Sequence, residues 1–169
     1  MRVDNARAAA KPAMEEIVGF KVNWNIVAYP GAEWASRVFP DLPVEEAQGK
    51  LMDAIYDASR LGGDDPVANW ADHSAELQKR VDWLNDMGFD ALHYPGPGTD
   101  LHVGLAEGHI WKGGASPALN GVVCQPNIPT EEVFTCPHAY KVEGTVAATK
   151  PLAHQGNVIA NIAVRFDAG

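Results

Sequence analysis

Residues 65–98 read DPVANWADHSAELQKRVDWLNDMGFDALHYPGPG, and the change of texture inside this stretch decides the fold class. Asp65 stands where an N-cap acceptor is wanted. Pro66 suits the first helical position, because the N–H it lacks would have no helical partner there anyway. Trp70, Leu77, Val81 and Leu84 recur at helical spacing, and Gly88 supplies the stop. From Phe89 onward helix formers give way to short runs of Val, Thr, Gly and Pro separated by turn clusters. Pro95-Gly96-Pro97-Gly98 reads as a tight turn, since its prolines have no N–H to offer a phosphate.

Upstream of Asp65 a second helix is predicted from about Val44 to Ser59. Pro43 lies near its first turn, Glu45 and Glu46 at the positive end of its dipole, and Leu51, Ile55 and Ala58 along one face. Leu61-Gly62-Gly63 ends it. Earlier still, Gly19 to Tyr29 places Phe20, Val22, Trp24, Ile26 and Ala28 on one parity, which predicts a strand with one buried face, stopped by Pro30-Gly31. Downstream, strands are expected at Ala91 to Tyr94, Leu101 to Leu105, His109 to Lys112, Gly121 to Gln125, Glu132 to Thr135, Tyr140 to Thr149 and Asn157 to Phe166. The whole reads as α+β: a partial helix-flanked sheet over 1–88, followed by a β-rich portion over 89–169. One good strand for two helices suggests that sheet neighbours are missing from the first half.

A chain of 169 residues with 46% hydrophobic content can bury a core without disulfides. Its net charge of −9 argues against nucleic acid, whose binding rests on cationic neutralisation of phosphates. Arg2, Asp4, Arg7 and Lys11 leave no apolar core for a signal peptide, and no apolar run nears the roughly 20 residues of a membrane span. A soluble cytoplasmic protein is the expectation. Cys124 and Cys136 make neither a disulfide framework nor a paired thiolate metal site, and read as reduced structural thiols. Trp24, Trp34, Trp70, Trp83 and Trp111 read as packing residues.

Neither a phosphate loop nor a nucleophile elbow is present. The zincin pattern of two His four apart is missing, and His73, His93, His102, His109, His138 and His154 are scattered. Attention falls on residues 126–135, PNIPTEEVFT, where two adjacent carboxylates open an apolar β segment. Neighbours on a strand face opposite ways, so at most one of Glu131 and Glu132 can face a given site. An inward carboxylate is costly without a cation or donors, which makes metal coordination a sensible reason for it. Two Glu on a solvated strand end is the other reading that spacing leaves open.

The same run, with WNIVAYP at 24–30, Trp34-Ala35, Val38-Phe39-Pro40-Asp41, Asp65-Pro66-Val67, Trp70 and His73, Gly96 to Leu101, Val103-Gly104-Leu105, His109, Trp111 and Thr149-Lys150-Pro151-Leu152, resembles the thermophilic-type metallo-aminopeptidases. That is the family of aminopeptidases T, S and II. The resemblance implies a homodimeric enzyme that removes N-terminal residues from peptides with two divalent ions, zinc or cobalt, and a metal-activated water. It assigns Glu132 as a metal ligand, with Glu131 in reserve. The family's other ligands, a Glu, two His and an Asp, find no matching motif here, so the chain corresponds to a middle portion and is expected to be inactive alone. A truncated relative serving as a noncatalytic binding or dimerisation module is the rival expectation. His109 and His138 lie near the resembling motifs, and both read as structural or solvent-facing.

Overall fold

The computed structural model describes residues 2–154, 157–167 and 169. The fold is α+β, and its residues gather into two compact units, Met1–Lys79 with Gly113–Val133, and Arg80–Lys112 with Phe134–Gly169. Each unit draws on two stretches of chain.

The described residues form four helices, α1 (Arg2–Val18), α2 (Ala32–Val38), α3 (Val44–Ala58) and α4 (Pro66–Met87), with one short strand between α1 and α2. The predicted helices appear as α3 and α4. In α4 the Asp65 Oδ1 accepts the Ala68 N–H at 2.9 Å, and Gly88 takes a φ of +58° just past the end. Leu77 and Val81, four apart on α4, are both buried. In α3 the buried stripe is Ala47 and Leu51 with Ile55 beside it, and with Ala35 of α2 it forms a small core against Phe39 and Leu42. Ala58 is exposed, and Ser59 takes the buried place.

Two helices escaped the sequence reading. α1 is Ala-rich with no strong apolar stripe, and α2 is a seven-residue helix after an uncapped Gly31, stabilised locally by the Glu33–Arg37 ion pair at 2.8 Å.

The strand expected over Gly19 to Tyr29 shrinks to β1 (Ile26–Val27), and both its side chains are exposed. Phe20 has a φ of +52°, and its N–H and that of Lys21 bond back to the end of α1, so this segment continues a helix C-terminus instead of a strand. Trp34 and Trp83 are also exposed, at 44% and 55%, against the expectation of packing, whereas Trp111 is buried.

In the second unit β2 (Ala91–Gly96) and β3 (Thr99–Leu105) form a hairpin, and the tight turn expected over Pro95 to Gly98 is made by Pro97-Gly98. Pro97 fixes its own φ and Gly98 takes +71°, the combination of a type II turn. Short strands follow: β4 (Lys112–Gly113), β5 (Ser116–Pro117), β6 (Val123–Cys124), β7 (Asn127–Ile128) and β8 (Val133–Phe134). The long β9 (Pro137–Ala147) pairs with β3, then β10 (Leu152–His154) pairs with β11 (Asn157–Ile159), and β12 (Ala163–Phe166) pairs with β9. The main sheet is antiparallel in the order β12-β9-β3-β2. Gly144 on β9, at a φ of +114°, leaves no room for a side chain, since a Cβ there would lie 2.0 Å from the Asp100 carbonyl oxygen.

Candidate metal centre

The run from Pro126 to Thr135 is fixed at its start by long-range backbone pairing. The Ile26 N–H donates to the Pro126 carbonyl at 2.8 Å, and β1 and β7 then pair in parallel, Ile26 opposite Asn127 and Val27 opposite Ile128. The Asn25 side-chain amide donates to the Gln125 carbonyl at 2.6 Å, and the Gln125 amide donates to the Ser74 hydroxyl at 2.7 Å.

Further along, helix α4 takes over the positioning. His73, its side chain only 10% exposed, donates from Nε2 to the Thr130 carbonyl at 2.7 Å, which fixes the proton on that nitrogen. The same Nε2 lies 3.8 Å from Glu131 Oε2, and the Arg60 guanidinium bonds Glu131 Oε1. Arg60 is itself near the C-terminal end of α3, where the Trp70 indole donates to the Ser59 carbonyl at 2.8 Å. Glu131 is thereby held as a structural anion.

Glu132 goes another way. The two glutamates precede β8 and are not inside a strand, so their divergence comes from these anchors rather than from strand pleating. The Glu132 N–H donates to the Thr130 hydroxyl at 3.3 Å, and its backbone passes close over Gly113, where a Cβ would lie 2.5 Å from the Glu132 carbonyl oxygen. Its exposed carboxylate has no hydrogen-bond or ion-pair partner among the described residues. It lines an open groove with Ile26, Val27, Asn127, Ile128, Thr130 and Glu131.

A carboxylate fixed through its backbone, with both oxygens available, suits one position on a divalent ion. It does not make a centre alone. Among the described residues no group of three His, Cys, Asp or Glu ligand atoms gathers at Glu132; the one such group is His93, Asp100 and His102, in the second unit. Sequence reading saw those histidines as scattered. The signal that links them is their position about the Pro97-Gly98 turn, which brings His93 opposite His102.

His109 and His138 are engaged locally. His109 donates from Nδ1 to the Ala106 carbonyl at 2.9 Å, and His138 Nδ1 accepts the Tyr140 N–H at 3.1 Å. Cys124 and Cys136 are both free thiols.

The family model for thermophilic metalloproteases (M29) matches residues 1–169. The chain belongs to this family. It is 52% identical over 165 residues to aminopeptidase T of Thermus thermophilus, covering 98% of this chain and 40% of that relative. It is 46% identical over 146 residues to aminopeptidase 2 of Geobacillus stearothermophilus, covering 86% of this chain and 35% of the relative. The solved structure of wild-type AmpT from Thermus thermophilus superposes with a TM-score of 0.87 at 49% identity, over 96% of this chain and 40% of the other. This M29 chain therefore spans about 40% of the length of aminopeptidase T, in agreement with the portion its motifs implied. No helix among the described residues is long and apolar enough to cross a membrane.

Proposed function

We propose that this chain is the part of a metal-dependent aminopeptidase that contributes Glu132 to the metal centre, and that the complete enzyme hydrolyses N-terminal peptide bonds. The observation that carries the reading is the contrast between the two glutamates in a family whose named members are aminopeptidases. Both glutamates line the groove, but the Glu131 carboxylate is engaged by Arg60 and His73, whereas that of Glu132 has no hydrogen-bond or ion-pair partner among the described residues and its backbone is fixed. In the complete enzyme two divalent ions, zinc or cobalt, supply Lewis acidity and a water of lowered pKa.

The rest is work for the chain's own residues. Thr130 orients the Glu132 N–H, and Gly113 lets that backbone sit close. Ile26 and Val27, 60% and 62% exposed, give the groove beside Glu132 an apolar wall suited to a peptide. The acidic surface, at a net charge of −9, disfavours nucleic acid, and the reading includes a cytoplasmic, membrane-free homodimer. It also keeps 1–88 and 89–169 as portions of two domains of the longer protein. One carboxylate cannot hold two ions against water, so the isolated chain is inactive.

The test is a chimera in which this chain replaces the matching segment of aminopeptidase T from Thermus thermophilus. Leucine release from a leucyl peptide is expected from the chimera, with a fall of at least about a hundredfold in Glu132→Gln, since even outer-shell changes at metal sites lose 10–100-fold. None is expected from the chain alone. A folded but inactive chimera would favour a noncatalytic binding module, and release by the isolated chain that disappears in Glu132→Ala would overturn the fragment reading.

A further inference from the structure

The polar face of the β2–β3 hairpin holds a second set of metal-ligating side chains, independent of Glu132. His93 on β2 stands directly opposite His102 on β3, and Asp100 lies two residues before His102, on the same face of the pleat. The His93 Nε2–H donates to Asp100 Oδ1 at 2.7 Å, and His102 Nε2 lies 3.9 Å from that same oxygen. The two imidazoles stack with centroids 3.9 Å apart and planes 7° from parallel, and both Nε2 atoms lie within 3.9 Å of one Asp100 oxygen. All three ligand atoms lie within 4.8 Å of one another.

Tetrahedral zinc with bonds of about 2.0–2.1 Å places its ligand atoms about 3.3–3.4 Å apart. The observed His–Asp100 separations of 2.7 and 3.9 Å bracket that spacing, so an ion fits once each ring turns out of the stack and the ion replaces the His93 proton on Asp100. Solvent-side space is available for those turns, because the side chains are 46%, 76% and 60% exposed for His93, Asp100 and His102. The backbone beneath is fixed by six register pairs and a two-residue turn. The carboxyl of Asp100 is held below its ordinary range, first by the His93 hydrogen bond.

We infer that His93, Asp100 and His102 form a binding site for a borderline divalent transition ion such as Zn2+, with three protein ligands and an open position for water. Two imidazoles and one carboxylate select such ions over Mg2+, which prefers all-oxygen octahedral surroundings. The inference does not rest on the aminopeptidase reading.

The experiment is a titration of the whole chain with Zn2+ alone, read by the ring-nitrogen resonances of each histidine. At one equivalent the His93 and His102 Nε2 signals are expected to move together, and His93→Gln and His102→Gln each to weaken zinc binding at least tenfold. The same movement is expected in Glu132→Gln, which separates this site from the one proposed above. Unmoved His93 and His102 signals, or affinity retained within twofold in both variants, would overturn the site. So would an equal response to Mg2+.

Discussion

Two glycine-to-alanine substitutions in the same compact unit should move stability in opposite directions. Gly113 has a φ outside the left-handed region, so alanine is excluded there only by space: its Cβ would sit 2.5 Å from the Glu132 carbonyl oxygen, 2.9 Å from Val133 Cγ1 and 3.2 Å from Val133 Cα. Two of those three atoms are backbone and cannot swing aside. Overpacking of this kind costs about 1–3 kcal/mol. Gly49 lies inside α3 with nothing within 4 Å of a new Cβ, so alanine there removes a helix penalty of about 0.8–1.0 kcal/mol. With a urea slope of about 2 kcal/mol per molar, the midpoint should fall by roughly 0.5–1.5 M in Gly113→Ala and rise by roughly 0.4–0.5 M in Gly49→Ala. The assay is urea unfolding followed by the amide signals of this unit. Midpoints that move the same way, or a Gly113→Ala shift below about 0.2 M, would refute the reasoning that space alone reserves Gly113.

Removing the α4 cap with Asp65→Ala should cost about 1 kcal/mol, because the Ala68 N–H loses its acceptor; equilibrium unfolding of the variant measures it. The hairpin contact between His93 and Asp100 should weaken in acid. The folded-state pKa of Asp100 lies below the ordinary aspartate value of 3.8, so the stabilisation is fully present above that value and is lost as pH falls through the lowered folded value. The carboxyl carbon shift of Asp100 should accordingly titrate with a midpoint below 3.8, and a midpoint above it would contradict the contact.

What the sequence made legible was what local chemistry controls. Asp65-Pro66 and Gly88 bound α4 because capping and stopping are decided within one turn of chain. The Pro97-Gly98 turn was visible because both residues have few backbone choices. Gly19 to Tyr29 failed for the opposite reason. Alternation says which residues could share a face, but whether a strand forms depends on a partner, and the partner of Ile26-Val27 lies about 100 residues away in Asn127-Ile128. That pairing extends over two residues only, while Phe20 closes α1 with a positive φ.

The candidate centre divides in the same way. Glu132 was singled out by two carboxylates at the edge of an apolar run and by the resemblance of that run to a family. The means by which Glu131 is diverted were invisible, because Arg60 and His73 come from elements 71 and 58 residues distant and touch it only in the folded chain. The His93, Asp100 and His102 group was hidden in plain view. Its members lie within ten residues, but only the hairpin register turns their spacing into a shared face.

On the proposed reading Glu132, and not Glu131, is the metal ligand of this segment. Its most direct test is cobalt content, read from the visible absorption of the chimera with aminopeptidase T, with His93 and His102 changed to Gln so that the hairpin does not contribute. Glu132→Gln should lose at least one cobalt per chain, and Glu131→Gln should keep the full complement. Full cobalt in Glu132→Gln, with loss in Glu131→Gln, would contradict it.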